Sequence, residues 1–423
     1  MALKRVLDNG ATVLIDEMQD VRSFALGFFV RAGSQDEPAD KRGLSHFLEH
    51  VLFKRTRRRS TVQIAQAIDR LGGDVDAFTT KEYTGFYAHT LDSRFQGALD
   101  LLADIVLFPA FDGADVEMER GVILEEIGEA NDNPDDLVHE MFVRSFWRSH
   151  PLGAPILGTA ETVRSISLTD LYRYYRDHYT ANNLIVSVAG HVRSGEVLEA
   201  VERLFRRRNG RADAPSHPLR RPHGHQNLQL KARRGLEQVH VCLGVEGPGQ
   251  ASDRRFATHL LDIILGGGMS SRLFQEVREK RGLVYSIASS LNSYRLGGYE
   301  TISAACAPKN LARVLEVTLR ELKKLKRDGV RPRELLWAKQ NLKGNMLLAL
   351  ESTVSRASQQ TRQEFYFGRI LASEELISRV EAVTADEIGE EAERLFDGRM
   401  ISLAVVGNVG KLPISAPELA SAL

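Results

Sequence analysis

The chain has 423 residues, of which 43% are hydrophobic and 26% are charged, a composition typical of globular proteins rather than disordered ones. Its 56 basic residues balance its 56 acidic residues, so the overall charge does not favour a nucleic-acid partner. It contains no run of 18 apolar residues, which argues against a membrane span.

The first residues, MALKRVLDNGATVLIDE, pass directly into the alternation of a strand and lack the apolar core of a secretory signal. Cys242 and Cys306 lie in apolar, strand-like runs without C-x-x-C spacing, so we expect buried thiols rather than a disulfide or metal ligands. Together these features predict a cytoplasmic protein.

A predicted amphipathic helix near residues 44 to 54 contains the sequence HFLEH. Its two histidines, His46 and His50, are one helical turn apart, which places their Cβ atoms about 5–6 Å apart on one face. H-x-x-E-H is the reversed metallopeptidase motif, in which the histidines bind zinc and the glutamate, here Glu49, is the general base. A surface helix with chance histidines is the alternative, and a third metal ligand would have to come from another element.

A basic run, KRTRRRS at 54 to 60, and the arginine-rich stretch near residue 210 could suggest nucleic-acid binding. No stacking aromatic residues are interleaved with these charges, so we interpret both as solvated surface. The next segment, residues 74 to 91, is rich in Thr and aromatic residues and is predicted to form one long strand.

An acidic helix is predicted over residues 115 to 130. Glu119 and Glu126 fall at i and i+7, on a stripe that they share with apolar side chains, and buried carboxylates require a partner. Periodicity alone leaves two interpretations open. Either Glu119 and Glu126 line a site, or the helix is an acidic, solvent-facing one, an interpretation that the position of Glu125 fits.

The two halves of the chain resemble each other near their ends. LIVSVAGHV (184 to 192) and ISLAVVGNV (401 to 409), which are 217 positions apart, both indicate a buried strand followed by a turn at a glycine. Aligning GLSHFL (43 to 48) with GMSSRL (268 to 273) places Ser271 and Phe274 where the first copy has His46 and Glu49.

We therefore predict an N-terminal domain over 1–210, a Pro- and Gly-containing linker over 211–230 and a homologous C-terminal domain over 231–423. Strands occur in adjacent groups that are followed by groups of helices, which favours an α+β fold with a mainly antiparallel sheet in each domain.

The spacing of HFLEH, Glu119 and Glu126 resembles that of the pitrilysin-type zinc metallopeptidases, also called inverzincins. The closer resemblance is to the branch that contains the subunits of the mitochondrial processing peptidase. It implies that His46, His50 and Glu126 bind one Zn²⁺ per chain. It also implies that Glu49 activates water and that Glu119 is an accessory carboxylate.

The resemblance extends along the chain. FKRTRRRS resembles the family segment F-K-G-T-x-x-R-S, with Arg55 in place of glycine, and HPLGAPILGT resembles H-P-L-G-x-x-I-x-G. In LGGGMSSRLFQEVREKRGLVYS, Arg278 and Tyr285 match an Arg and Tyr that contact the substrate. The family's edge strand pairs with the substrate backbone, which makes Ala77 and Thr79 weak candidates for substrate binding.

Family members of this length form half of a clamshell. The resemblance therefore implies an endopeptidase of peptides or unfolded polypeptide segments, working as a homodimer with shared active sites. Within the peptidase interpretation, a heterodimer with a different partner chain is also possible. The alternative to a peptidase is a non-catalytic structural or binding subunit of a larger assembly.

Overall fold

The computed structural model describes residues 2–206 and 220–423. The described residues form two units. Those of unit 1 lie within Met1–Gly128, Ala154–Pro218 and Leu347–Ala372, and those of unit 2 lie within Glu129–Gly153, Leu219–Met346 and Ser373–Leu423.

The strands and helices are, in chain order, β1 (Leu3–Val6), β2 (Thr12–Glu17), β3 (Ser23–Val30), α1 (Leu44–Leu52), α2 (Thr61–Leu71), β4 (Asp74–Thr79), β5 (Thr84–Leu91), α3 (Phe95–Leu107), α4 (Gly113–Asp132), α5 (Pro134–Phe146), α6 (Ala160–Ser165), α7 (Leu168–His178), β6 (Leu184–Gly190), α8 (Ser194–Phe205), β7 (Leu228–Ala232), β8 (Val239–Gly247), α9 (Arg255–Leu265), β9 (Val284–Ser293), β10 (Gly298–Cys306), α10 (Leu311–Asp328), α11 (Pro332–Ala349), α12 (Thr353–Phe367), α13 (Ser373–Ala382), α14 (Ala385–Leu395), β11 (Ser402–Gly407) and α15 (Ala416–Ser421). A π-helix, Phe274–Glu279, precedes β9.

Each unit contains one mixed sheet. In unit 1 the strand order is β1-β2-β6-β3-β5-β4, with β2 and β6 parallel and the other neighbours antiparallel. In unit 2 the order is β7-β11-β8-β10-β9, with β7 and β11 parallel and the others antiparallel. The predicted α+β fold with mainly antiparallel sheets is confirmed.

The predicted single strand over residues 74 to 91 is wrong, because a tight turn divides it into β4 and β5. The Thr80 backbone N–H donates to the Tyr83 carbonyl at 2.9 Å, and the Thr80 hydroxyl donates to the same oxygen at 2.7 Å. Hydroxyl-to-backbone bonds of this kind compete with a continuous strand. After the turn, β5 lies inside the sheet of unit 1 and β4 is one of its two edge strands, the other being β1.

The sheet of unit 1 buries one face against α1 and α3. Phe47 of α1 and Phe28 and Phe86 of the sheet are fully buried in one core cluster with Leu102 of α3. Burying each such side chain contributes about 1.5–3 kcal/mol relative to leaving it exposed. This packing holds the HFLEH helix against the sheet.

The opposite face of each sheet is covered by a helix from the other half of the sequence. In unit 1, Phe365 of α12 packs with Phe29 and Ile185. In unit 2, α5 packs against the sheet with an apolar cluster that includes Phe142 and Tyr299. Thus α5 lies within the predicted domain 1–210 but packs in unit 2, and α12 lies within the predicted domain 231–423 but packs in unit 1.

The predicted linker over 211–230 is only partly described. Residues 211–219 lie outside the described residues, whereas 228–230 belong to β7. Because β7 pairs with β11, far away in the sequence, the local composition did not reveal this strand.

The predicted alignment of Ser271 and Phe274 with His46 and Glu49 is wrong. In unit 1, α1 follows β3 and contacts β4 and α7, and in unit 2, α9 follows β8 and contacts β9 and α14. The counterpart of α1 is thus α9. The segment with Ser271 comes after α9. The shared G-x-S-x-x-L pattern therefore aligned two elements that are not structurally equivalent.

Aligning the C-terminal ends of α1 and α9 places His259 opposite the first histidine of HFLEH, Asp262 opposite its glutamate and Ile263 opposite its second histidine. Asp262 accepts a hydrogen bond from Ser289 of β9 at 2.5 Å, which parallels the bond from β4 to the glutamate of α1. Unit 2 thus keeps two of the three polar positions, but Ile263 cannot bind a metal.

Across residues 2–206 and 220–423, no helix combines the length and apolar character needed to cross a membrane.

Candidate metal centre

The metal motif lies on α1, whose first turn depends on a glycine. Gly43 has a φ of +96°, and a Cβ there would lie 2.6 Å from the Leu157 carbonyl oxygen. From this start, the apolar side chains of α1 turn into the core, and His46 is only 8% exposed. The helical register therefore fixes both histidines at one place beside the sheet.

Three predicted ligands converge in unit 1. The Oε2 atom of Glu126 on α4 lies 3.6 Å from His46 Nε2 and 3.7 Å from His50 Nε2, and the three ligand atoms all lie within 4.8 Å of one another. In a tetrahedral site with bonds of about 2.0–2.1 Å, ligand atoms are about 3.4 Å apart. The donor set of two imidazoles and one carboxylate therefore fits zinc. Among the described residues, it is the one group of three potential metal ligands.

Glu119 contacts His50 at Nδ1, the ring nitrogen other than the one near Glu126. Its Oε2 atom lies 3.1 Å from His50 Nδ1, and its Oε1 atom lies 2.6 Å from the Lys54 ammonium. Glu119 is only 3% exposed. A carboxylate that accepts from Nδ1–H of a histidine directs the other ring nitrogen toward the metal.

Glu49 lies beside the cluster, on the neighbouring position of α1. The hydroxyl of Thr79 on β4 donates to Glu49 Oε2 at 2.5 Å. Burial raises the pKa of Glu49 to about 7, although the hydrogen bond from Thr79 acts in the opposite direction. A carboxylate with such a pKa can both take up and release a proton near neutral pH.

Burial also affects His46. It lowers the pKa of this imidazole to about 4, with a further contribution from the charge of His50. His46 is therefore neutral at physiological pH. The neutral imidazole is the form that binds metals.

The remaining candidate residues fall in two places. Ala77 lies on the edge strand β4 and pairs with Phe86 of β5, while the hydroxyl of Thr79 on the same strand contacts Glu49. Arg278 and Tyr285 belong to unit 2, where the Arg278 guanidinium lies 5.4 Å from the centroid of the Tyr285 ring. The structure thus pairs Arg278 with Tyr285, and Tyr285 is 78% exposed.

Comparisons with known proteins identify related sequences. Residues 12–160 match the family model described as "Insulinase (Peptidase family M16)", and residues 165–342 match "Peptidase M16 inactive domain". An uncharacterized zinc protease of Mycobacterium leprae is 40% identical over 96% of this chain and 91% of its own length. The chain belongs to the M16 peptidase family. Another such relative, an uncharacterized zinc protease of Bacillus subtilis, is 37% identical over 98% of this chain and its entire length.

Solved structures show the same M16 fold. A protease from Helicobacter pylori superposes with a TM-score of 0.91 at 22% identity, covering 96% of this chain and 99% of that one. A peptidase M16 inactive domain from Pseudomonas fluorescens gives a TM-score of 0.89 at 19% identity, covering 98% of this chain and all of that one.

The HFLEH motif alone did not indicate two residues that lie near the site or support its helix. Lys54, one turn after His50, belongs to the basic run that the sequence predicts to be solvated surface, yet its ammonium pairs with buried Glu119. Glu37, outside the motif, accepts hydrogen bonds from the Gly43 and Ser45 backbone N–H groups at the start of α1. The i+4 spacing from His50 was the available signal for Lys54, whereas no sequence pattern indicated Glu37.

Proposed function

We propose that this M16 family member is a zinc-dependent endopeptidase of peptides or unfolded polypeptide segments, with one Zn²⁺ per chain. The observation that carries the proposal is the convergence of His46, His50 and Glu126, with Glu49 beside them. The names of the zinc protease relatives support the same activity.

Each residue has a distinct task in this proposal. His46, His50 and Glu126 hold a zinc ion, which supplies Lewis-acid chemistry by polarising a peptide carbonyl and lowering the pKa of water. Glu49 takes a proton from the attacking water and delivers it to the leaving amine. Glu119 keeps the His50 ring oriented through Nδ1.

Substrate binding is proposed to use main-chain hydrogen bonds. The edge strand β4 has β5 on one side, and an extended peptide added along its other side would place Ala77 and Thr79 in contact with substrate. Arg278 and Tyr285 are proposed to contact the substrate backbone or the carbonyl oxyanion. Recognition of main-chain groups suits an enzyme that accepts varied sequences.

We further propose a homodimeric chamber in which unit 2 of one chain serves the metal centre of the other. This proposal, like the branch resembling the mitochondrial processing peptidase, rests on the sequence resemblance. The cytoplasmic location is a separate proposal that rests on features of the sequence and not on the family. A heterodimer with a different partner chain is the competing arrangement.

The test of the proposed activity combines metal content with peptide cleavage. Elemental analysis of the wild type should find about one zinc per chain, together with cleavage of a quenched fluorescent peptide library. Glu126→Gln should lose both. Glu125→Gln is the matched control, because Glu125 is an exposed neighbour on the same helix, and it should keep both.

A wild-type chain that stays metal-free and inactive after zinc is added would refute the peptidase proposal. That result would instead favour a non-catalytic structural or binding subunit.

A further inference from the structure

We infer that Lys54 is a positioning residue of the metal centre, acting on His50 through Glu119. The inference rests on the proposed zinc function and extends it to a residue of the basic run that contacts neither the metal ligands nor the general base.

The three side chains form a continuous chain of contacts. The Lys54 ammonium lies 2.6 Å from Glu119 Oε1, and Glu119 Oε2 lies 3.1 Å from His50 Nδ1. Each oxygen of the carboxylate thus has a separate partner. Because the Nε2 atom of His50 is the one near Glu126, the contact at Nδ1 determines which ring nitrogen is offered to a metal.

Burial explains why the ammonium is needed. The Glu119 side chain is only 4% exposed, whereas that of Lys54 is 26% exposed. A buried carboxylate without a compensating charge is costly, and removing one partner of such a pair destabilises its arrangement. Lys54 therefore holds the Glu119 carboxylate in place next to His50 Nδ1.

Three of the other four charges of the basic run have different partners. Arg55 pairs with Asp115 on α4, and Arg58 and Arg59 pair with Asp100 and Asp104 on α3. The run is not simply solvated surface, because it joins the end of α1 to α3 and α4. Within it, Lys54 is the residue that contacts Glu119.

The experiment compares zinc affinities by competition with a chelator. Lys54→Met should weaken zinc binding by about 10-fold, at the lower end of what loss of an outer-shell partner typically costs. Lys54→Arg should retain most of the affinity, since it keeps the positive charge. Arg55→Met removes an equivalent charge that also pairs with α4, and it should bind zinc like the wild type.

A double-mutant cycle tests whether Lys54 acts through Glu119. In the Glu119→Gln background, adding Lys54→Met should cause no further loss of zinc affinity. Thermal unfolding of the metal-free proteins checks that each variant folds. If Lys54→Met alone does not fold, the comparison of Glu119→Gln with the double variant still tests whether Lys54 has an effect that does not pass through Glu119.

The possible failures are distinguishable. Unchanged zinc affinity in Lys54→Met, or equal losses in Lys54→Met and Arg55→Met, would overturn the role of Lys54 and leave the peptidase proposal standing. A further loss of affinity in the Glu119→Gln background would overturn the route through Glu119. A wild type that binds no zinc would remove the proposed function itself, and this inference with it.

Discussion

At the scale of single residues, the different roles proposed for His46 and Glu49 on α1 follow from the surroundings of each side chain. Burial and a neighbouring imidazole keep His46 neutral by lowering its pKa to about 4, as metal binding requires. Glu49, three residues later, accepts a hydrogen bond from Thr79. Two ionisable groups on one helix can therefore act as metal ligand and base.

Replacing Glu49 by Gln should separate metal binding from turnover. The amide has nearly the same shape as the carboxylate but cannot accept the proton, so kcat should fall by about 10²–10⁴-fold. Zinc content should stay at the wild-type level, because Glu49 is not among the three converging ligands. Elemental analysis and cleavage kinetics on the same preparation provide the measurement, and full activity of this variant would contradict the assignment.

At the scale of elements, the start of α1 depends on a side chain from outside the helix. Gly43 precedes the helix and offers no side-chain cap. Glu37 instead accepts hydrogen bonds from the backbone N–H groups of Gly43 at 2.8 Å and Ser45 at 2.7 Å. These bonds satisfy donors that a helix start leaves unpaired, one residue before His46, the first of the proposed metal ligands.

The buried position of Glu37 predicts a pH dependence of stability. Burial raises its pKa in the folded chain to about 7, outweighing the hydrogen bonds from Ser45 and Gly43. Between the unfolded pKa near 4.5 and this value, the folded state binds more protons than the unfolded state, so its stability falls as the pH rises. The loss should reach about 3 kcal/mol by pH 8.

Urea unfolding of the metal-free protein at pH 5 and pH 8 measures this effect. Glu37→Gln does not titrate, so the stability difference between the wild type and this variant should change by about 2.5 kcal/mol between pH 5 and pH 8, the rest of the loss occurring below pH 5. A difference that stays constant with pH would contradict the prediction. The same comparison in Glu125→Gln, where the carboxylate is exposed, should show little change.

At the scale of the whole molecule, neither half of the sequence contains all the helices that cover its sheet. The sheet of unit 1 requires α12, and the sheet of unit 2 requires α5. Polar bonds reinforce the first of these packings, since the Ser187 hydroxyl donates to the Ala357 carbonyl at 2.8 Å. The two halves of the sequence are therefore expected to depend on each other for folding.

Dividing the chain between residues 206 and 220 tests this interdependence. Each half expressed alone should aggregate, because an apolar sheet face would be exposed to water. The two halves expressed together should give a soluble complex with the zinc content of the intact chain. A single half that is monomeric and unfolds cooperatively would show that it folds without the exchanged helix.

Mixing two inactive variants tests the proposed homodimer. If units from two chains share each active site, Glu49→Gln mixed with Tyr285→Phe should recover about a quarter of wild-type activity, since half of the dimers are mixed and each has one intact site. Denaturation and refolding together ensure exchange of subunits. No recovery after verified exchange would indicate that each site is complete within one chain.

Local spacing made several of these features predictable. The i, i+4 relation of His46 and His50 is a property of any helix, so their shared face follows from the sequence. Strand alternation and grouping likewise predicted the α+β fold and its mainly antiparallel sheets. The position of Glu126 followed from a family resemblance, because periodicity alone did not choose between it and Glu125.

Only the tertiary structure decided the features that depend on distant contacts. The turn at Thr80 lies in a run with high strand propensity, so the sequence did not predict it. The equivalence of α9 with α1 depended on sheet topology rather than on a shared short pattern. The exchange of α5 and α12 and the pairing of Lys54 with Glu119 join residues whose separation carries no periodic signal. Sequence by itself determined which groups share one face of a helix, such as His46 and His50, because those distances are set by helix geometry. The partners of those groups were decided by packing, because burial brings together segments far apart along the chain.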